Sequence, residues 1–197
     1  MRDTDLFQLA LGLTSPWQVS SSDFDPQEKR LDIMIDFPPG STFTCPGCGQ
    51  NDLKAYDTET KSWRHLNFFQ HEAYLTARVP RVRCDKCKTR LVDVPWARPG
   101  SGFTLLFEAM IMTLAKAMPV KTIAAFVDEH DTRLWRIIHH HVDTARENAD
   151  YLKVEKVGVD ETSSKRGHNY VSLFVDIEAP KVLFVTEGKD ATTVERF

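Results

Sequence analysis

Two cysteine pairs constrain this chain more than any other feature in it. C-P-G-C-G at residues 45–49 is followed, 35 residues after its second cysteine, by C-D-K-C at 84–87, and no other cysteine is present. A C-x-x-C pair sets two thiolates on one tight turn. Cys45, Cys48, Cys84 and Cys87 can therefore close a tetrahedral four-sulfur shell, which suits a structural zinc ion. Iron fits the same cage. Two disulfides are the competing reading, but cysteines three apart make a poor clamp and nothing here suggests export. Gly49 and Lys88, just past the pairs, leave room for backbone N–H groups to turn toward sulfur. The long gap predicts two knuckles joined by strands, a zinc ribbon over 42–95. With four cysteines filling a closed site, His65 and His71 are expected at the surface or in packing.

At 197 residues the chain can bury one large core or two to three small ones, and 42% hydrophobic with 27% charged residues is ordinary for a soluble globular protein. No apolar run reaches the roughly 18 residues a membrane span needs. The acidic, weakly apolar start M-R-D-T-D-L-F-Q is no signal peptide, so a reducing cytoplasm is the expected setting. The net charge of −3 is unevenly spread: residues 1–60 carry −6 and residues 61–100 carry +6. That basic block includes Lys61, Arg64, Arg78, Arg81, Arg83, Lys86, Lys88 and Arg90, interleaved with Trp63, His65, Phe68, Phe69 and Tyr74. Basic blocks are usually solvated faces. One mixed with aromatics on a zinc-pinned sheet points to phosphate-backbone contact.

Residues 5–13 fit a short amphipathic helix, and Arg30–Phe37 alternates as a half-buried strand with Leu31, Ile33, Ile35 and Phe37 on one face. Residues 1–41 are read as a separate segment without identifiable chemistry. Within the ribbon, L-K-A-Y-D-T and K-S-W-R-H-L-N-F-F read as strands joined by a polar turn near Glu59, and a third strand delivers the chain to Cys84. W-A-R-P-G-S-G, 96–102, reads as a linker, with a domain boundary there.

From Phe103 the period becomes helical: Phe103, Leu106, Phe107, Met110, Ile111 and Leu114 form a stripe that stops before Pro119. V-K-T-I-A-A-F-V, a D-E-H turn without glycine, and a helix capped by Asp131 make a helix-turn-helix pattern over 103–150. Leu134, Trp135, Ile138 and Val142 are expected inward; Arg133, Arg136 and His140 face out from the half that a recognition helix inserts into the major groove. A plain three-helix bundle with a solvated Arg/His face is the alternative. His139–His141 is a poor metal site, because adjacent helical positions diverge. Residues 151–197 read as three antiparallel strands, with S-S-K-R-G-H a turn and Asp160 arriving as the first strand ends. On spacing alone Asp160 is either a turn residue or an oxygen ligand for a divalent cation.

C-P-G-C-G, R-V-R-C-D-K-C at 81–87, M-P-V-K-T-I-A at 118–124, H-D-T-R-L-W-R at 130–136, V-G-V-D-E-T-S-S-K-R-G-H at 157–168 and T-E-G-K-D at 186–190 together resemble insertion-sequence transposases of the ISL-three type, over nearly the whole chain from residue 40. The resemblance implies a multidomain α+β fold: a β-rich zinc ribbon, a helix-turn-helix, and at 151–197 the opening antiparallel strands of an RNase-H-like domain. In that family three acidic residues hold two magnesium ions for in-line attack on DNA, and the match places the first on Asp160. Glu161 would lie on the opposite strand face. Asp176 and Asp190 sit in no matching motif, so the resemblance implies a C-terminally truncated chain that is inactive in strand transfer alone.

Double-stranded DNA, in particular the terminal inverted repeats of a mobile element, is the expected partner of a bacterial, nucleoid-associated protein; a homodimer is compatible with the pattern. The candidate contacts are Arg64, Arg78, Arg81 and Arg83 on the ribbon and Lys121, Thr132, Arg133, Arg136 and His140 in the helices. Arg133 and Arg136 are expected to carry sequence preference, and the ribbon arginines to hold phosphates. A stand-alone zinc/helix-turn-helix regulator is the alternative. A zinc-stabilised protein-interaction module is the reading outside DNA binding.

Overall fold

The computed structural model describes residues 2–165 and 169–197, the side chain of Lys165 excepted, and forms two compact units, Met1–His141 and Val142–Phe197. The first unit opens with α1 (Asp3–Ala10). It then builds a six-stranded sheet from β1 (Gln18–Asp25), β2 (Arg30–Asp36), β3 (Thr42–Phe43), β4 (Leu53–Phe68), β5 (His71–Cys84) and β6 (Lys88–Leu91). The order is β1-β2-β5-β4-β3, with β6 also on β5. β2 alternates as the sequence requires, with Leu31, Ile33 and Ile35 buried. It runs parallel to β5, setting Leu31 opposite Ala73 and Ile35 opposite Ala77. Residues 1–41 are therefore part of the ribbon's sheet and not a separate segment. A half-buried strand has to pair its edge and cover its apolar face, and β5 with Trp17, Trp63 and Trp96 does both.

The polar turn expected near Glu59 is absent. β4 runs unbroken through it, because alternate polar residues of the run meet polar partners on β5, while Glu59 itself lies opposite Val79. Asp57 takes a bidentate pair from Arg81, Ser62 bonds Thr76, and Thr60 lies opposite Arg78. Cross-strand pairing outweighed turn-like composition.

Residues 96–102 do not act as a spacer either. Trp96 and Ala97 are buried in the sheet's core, and Arg64 exchanges main-chain hydrogen bonds with Gly102 and Thr104. Ribbon and helices thus form one body, made of the sheet, α2 (Leu105–Leu114), α3 (Val120–Val127) and α4 (Asp131–Glu147) as far as His141. The helical core is Phe103, Phe107, Ile111, Ile123, Ala124, Val127, Leu134 and Ile137. On α4 the inward row is Leu134 and Ile137, with Ile138 and His141 half-buried, whereas Trp135 and Val142 are exposed. The i, i+3, i+4, i+7 stripe starting at Leu134 ends on a histidine, which is why a search for apolar positions sets it out of phase.

The second unit contains the expected antiparallel meander, β7 (Val157–Lys165), β8 (Asn169–Asp176) and β9 (Lys181–Glu187), followed by α5 (Ala191–Glu195). β7 does not end at Asp160 and includes Ser163 and Ser164; the rest of the expected turn, 166–168, lies outside the described residues. Among the described residues no helix is long and apolar enough to cross a membrane.

Candidate metal centre and nucleic-acid interface

Cys45 and Cys48 sit on a turn after β3, Cys84 closes β5, and Cys87 lies in the tight turn to β6. Their four sulfurs all lie within 4.8 Å of one another, Cys48 and Cys84 at 3.5 Å, and none forms a disulfide. Tetrahedral zinc, with Zn–S near 2.3 Å, sets sulfurs about 3.8 Å apart, so the cage fits the ion. Both residues singled out after the pairs adopt left-handed backbone, Gly49 at φ +73° and Lys88 at φ +62°. A Cβ on Gly47 would stand 3.0 Å from the Cys87 sulfur, so a larger residue there would crowd the point where the knuckles meet. Backbone N–H groups do turn to sulfur. The Gly47 amide, with that of Cys48, lowers the Cys45 thiol to about 7. Cys87 is pushed up to about 12, chiefly by its hydrogen bond with Cys48. Thiols this close oppose each other's ionisation, and a divalent cation is what lets all four be thiolates.

The helix-turn-helix turn is closed without glycine. Asp128 caps α3 in the left-handed region at φ 54°, a conformation that aspartate tolerates better than most residues. Glu129 then turns inward and pairs with Arg133 one turn up α4. Lys121, Thr132, Arg136 and His140 are exposed, as an interface requires. Arg133 is half-buried, its guanidinium 4.4 Å over the Phe103 ring.

On the ribbon, Arg78, Arg81 and Arg83 are exposed but engaged: Arg78 near Asp36, Arg81 on Asp57, and Arg83 stacked 3.5 Å over Tyr56. Arg64 is the exception and has to be withdrawn as a DNA contact. It is 1% exposed, bonded to the His65 carbonyl and Asn67, paired with Glu72, and lies near the Tyr74 and Phe107 rings. Strand position 64 faces α2, so this charge joins sheet to helix.

Sequence reasoning missed a second buried charge. Glu108, fully buried, takes hydrogen bonds from Arg98 and Ser101 and lies 2.8 Å from His141 Nε2. A lone glutamate within L-L-F-E-A-M-I-M, on the face beside Phe107 and Ile111, was the available signal.

Asp160 lies mid-strand on β7, exposed, opposite Leu173, and accepts the N–H of Glu161. Asp176 lies on the other face of the meander and caps the turn at Glu178–Ala179; Asp190 caps α5. Glu187 shares the face of Asp160 but lies two strands away and level with Thr162, about 12 Å off at the usual strand spacing and rise. The four cysteines are the metal-holding cluster found among the described residues.

Three family profiles match the chain in succession: the zinc-finger of transposase IS204/IS1001/IS1096/IS1165 at 41–87, the helix-turn-helix domain of transposase family ISL3 at 92–142, and a DDE transposase profile of the same family at 157–197. This chain belongs to the ISL3 family of transposases. It is similar to the transposase for insertion sequence element IS1557 of Mycobacterium tuberculosis, in both the CDC 1551 / Oshkosh and H37Rv strains, at 27% identity over 100% of this chain and 46% of the relative. It also resembles the transposase for IS1001 of Bordetella parapertussis, at 24% identity over 81% of this chain and 40% of the relative. The chain thus spans less than half the length of these curated relatives. No solved structure matches it.

In this ISL3-family chain the zinc and helix-turn-helix segments fold as one body, and His65 lies at their junction. Its Nδ1 is 2.9 Å from the Thr104 hydroxyl that caps α2. Burial, aided by Arg64, lowers its pKa from 6.5 to about 4. The unfolded imidazole takes up a proton near 6.5 and the folded one only near 4. The stability this group confers is therefore complete above the first value and lost as pH falls toward the second, by about 2 kcal/mol between pH 7 and pH 5. Denaturant melts at the two pH values, in wild type and His65→Asn, test this. Parallel losses in both proteins would show that another group is responsible.

Proposed function

We propose that this chain is the DNA-recognising part of an insertion-sequence transposase, binding the terminal inverted repeats of its element. The observation that carries the reading is the union of a four-sulfur zinc cage and a helix-turn-helix in one body, with Lys121, Thr132, Arg136 and His140 exposed on the helices. In this reading α4 enters the major groove and Arg136 reads base edges or adjacent phosphates, while Arg78, Arg81 and Arg83 follow the backbone. Zinc holds the ribbon in shape and takes no part in reaction. The protein acts in the bacterial cytoplasm at the nucleoid, and a homodimer would bring two such bodies to two element ends.

Asp160 is proposed as the first carboxylate of the family's catalytic site. Magnesium, when bound, would supply Lewis-acid activation of a phosphodiester. The described residues do not fit that ion by themselves. Magnesium needs an octahedral oxygen set, and among the described residues no cluster of three metal-ligating groups includes Asp160, whose neighbour Glu161 points to the opposite strand face. Residues 1–197 with magnesium are therefore expected to bind end-containing duplex in a salt-dependent way without nicking or joining it. Mobility shifts across a salt series, paired with a cleavage assay, check both halves; strand transfer by this polypeptide would overturn the second. The isolation of Asp160 also favours a second reading, a zinc/helix-turn-helix regulator. Preference for promoter duplexes over element ends would select it.

A further inference from the structure

The loop R-P-G-S-G, 98–102, borders a hollow of about 280 Å³ whose other wall is the N-terminal half of α4. Three arginines line it: Arg98, Arg133 and Arg136. Two are held in place before any ligand arrives. Arg98 Nε donates to Glu108 at 3.0 Å, and Glu108 is fully buried. Arg133 is paired with Glu129, whose side chain is 5% exposed, and lies over Phe103. The two carboxylates balance these two charges, leaving Arg136 in excess; among the described residues it makes no ion pair. The loop comes close to the guanidinium, since a Cβ on Gly102 would stand 3.3 Å from Arg133 Nη2, and Gly100 turns at φ +75°.

We propose that this hollow receives one backbone phosphate of a DNA duplex, gripped by Arg133 and Arg136 against the Gly102 loop. The inference rests on the duplex-binding reading above and refines it. A guanidinium fork matches phosphate oxygens in a plane, and one already oriented loses little freedom on binding. A base-reading side chain must extend into the groove, whereas Arg133 is stacked and paired at the base of its helix. Arg133 thus positions the duplex for all sequences alike, and the preference expected of it passes to exposed positions such as Thr132.

Two variants of the full zinc-loaded chain test this on duplexes of several unrelated sequences. Arg136→Ala removes the unbalanced charge. Gly102→Leu fills the hollow and leaves every charge in place. Each should weaken binding to all sequences by about tenfold, the size of a lost charge-assisted hydrogen bond. Each should also reduce the slope of log K against log salt by about one. If Gly102→Leu is folded and binds as wild type does, the hollow is not a phosphate site. The same follows if Arg136→Ala reorders the preferred sequences at an unchanged slope. In both cases duplex binding itself stands. If Gly102→Leu does not fold, Arg136→Ala decides alone. Wild type without salt-dependent duplex binding would overturn both this inference and the reading beneath it.

Discussion

Removing zinc by chelation, or replacing Cys84 with serine, will unfold one end of the first unit and leave the other end folded. The knuckle turn at 45–50, β3 and β6 hold little apolar surface of their own: of them only Phe43 and Cys45 are buried. What binds them together is the sulfur cage. Structural zinc contributes an apparent ~10–16 kcal/mol in isolated zinc-finger peptides, comparable to the whole stability of a typical domain. Here the loss should be local, because Leu31, Ile33, Leu75 and Val79 form a core that does not include the metal. Amide exchange should become fast across 42–53 and 84–91 in the apo protein while Ile33 and Leu75 stay protected. One zinc per chain should be recovered from native protein. Unchanged protection in the knuckles after complete chelation would mean that the ion is not structural.

Arg64→Ala will destabilise the first unit by about 3–5 kcal/mol, the range for breaking a buried pair and leaving a cavity. The guanidinium is nearly enclosed, and its Glu72 partner would remain partly buried and uncompensated. Arg64→Met, which fills the space without charge, should recover part of the loss. Arg81→Ala, by contrast, breaks an exposed, solvent-screened pair with Asp57 and should barely change stability while weakening duplex binding. Denaturant midpoints and mobility shifts on the same samples separate the two arginines. A stable Arg64→Ala protein with a weakened grip on DNA would restore Arg64 to the interface and contradict its burial.

These arginines show why parts of the chain were readable and others were not. Cys45, Cys48, Cys84 and Cys87 needed only their spacing, since sulfur ligation is a local requirement met on two turns. β2 and β5 were legible from alternation, and the α3–α4 pair from its 3.6-residue period; Asp131, expected to cap α4, is instead its first residue, and His130 before it accepts the Thr132 N–H. Arg64 and Arg81 look alike in sequence, both basic and both within strand-like runs. What separates them is which face α2 covers, and no residue near Arg64 states that. The polar run around Glu59 reads as a turn because its partners Thr76, Arg78 and Arg81 lie some 14 to 24 residues away. Residues 96–102 read as a linker because their role depends on Trp96 entering a core assembled from distant strands.

By itself, then, the sequence determined the local chemistry: a four-sulfur cage, a helix-turn-helix, a meander bearing Asp160, and through their motifs the ISL3 family. Only the tertiary structure decided how those pieces join. It drew the N-terminal strands into the ribbon's sheet and fused ribbon to helices through Arg64, His65 and Glu108. It also separated buried Arg64 from the arginines that stay exposed. The physical reason is that burial is a property of surfaces brought together over long sequence separations, whereas metal ligation, capping and helical period are settled within a few residues.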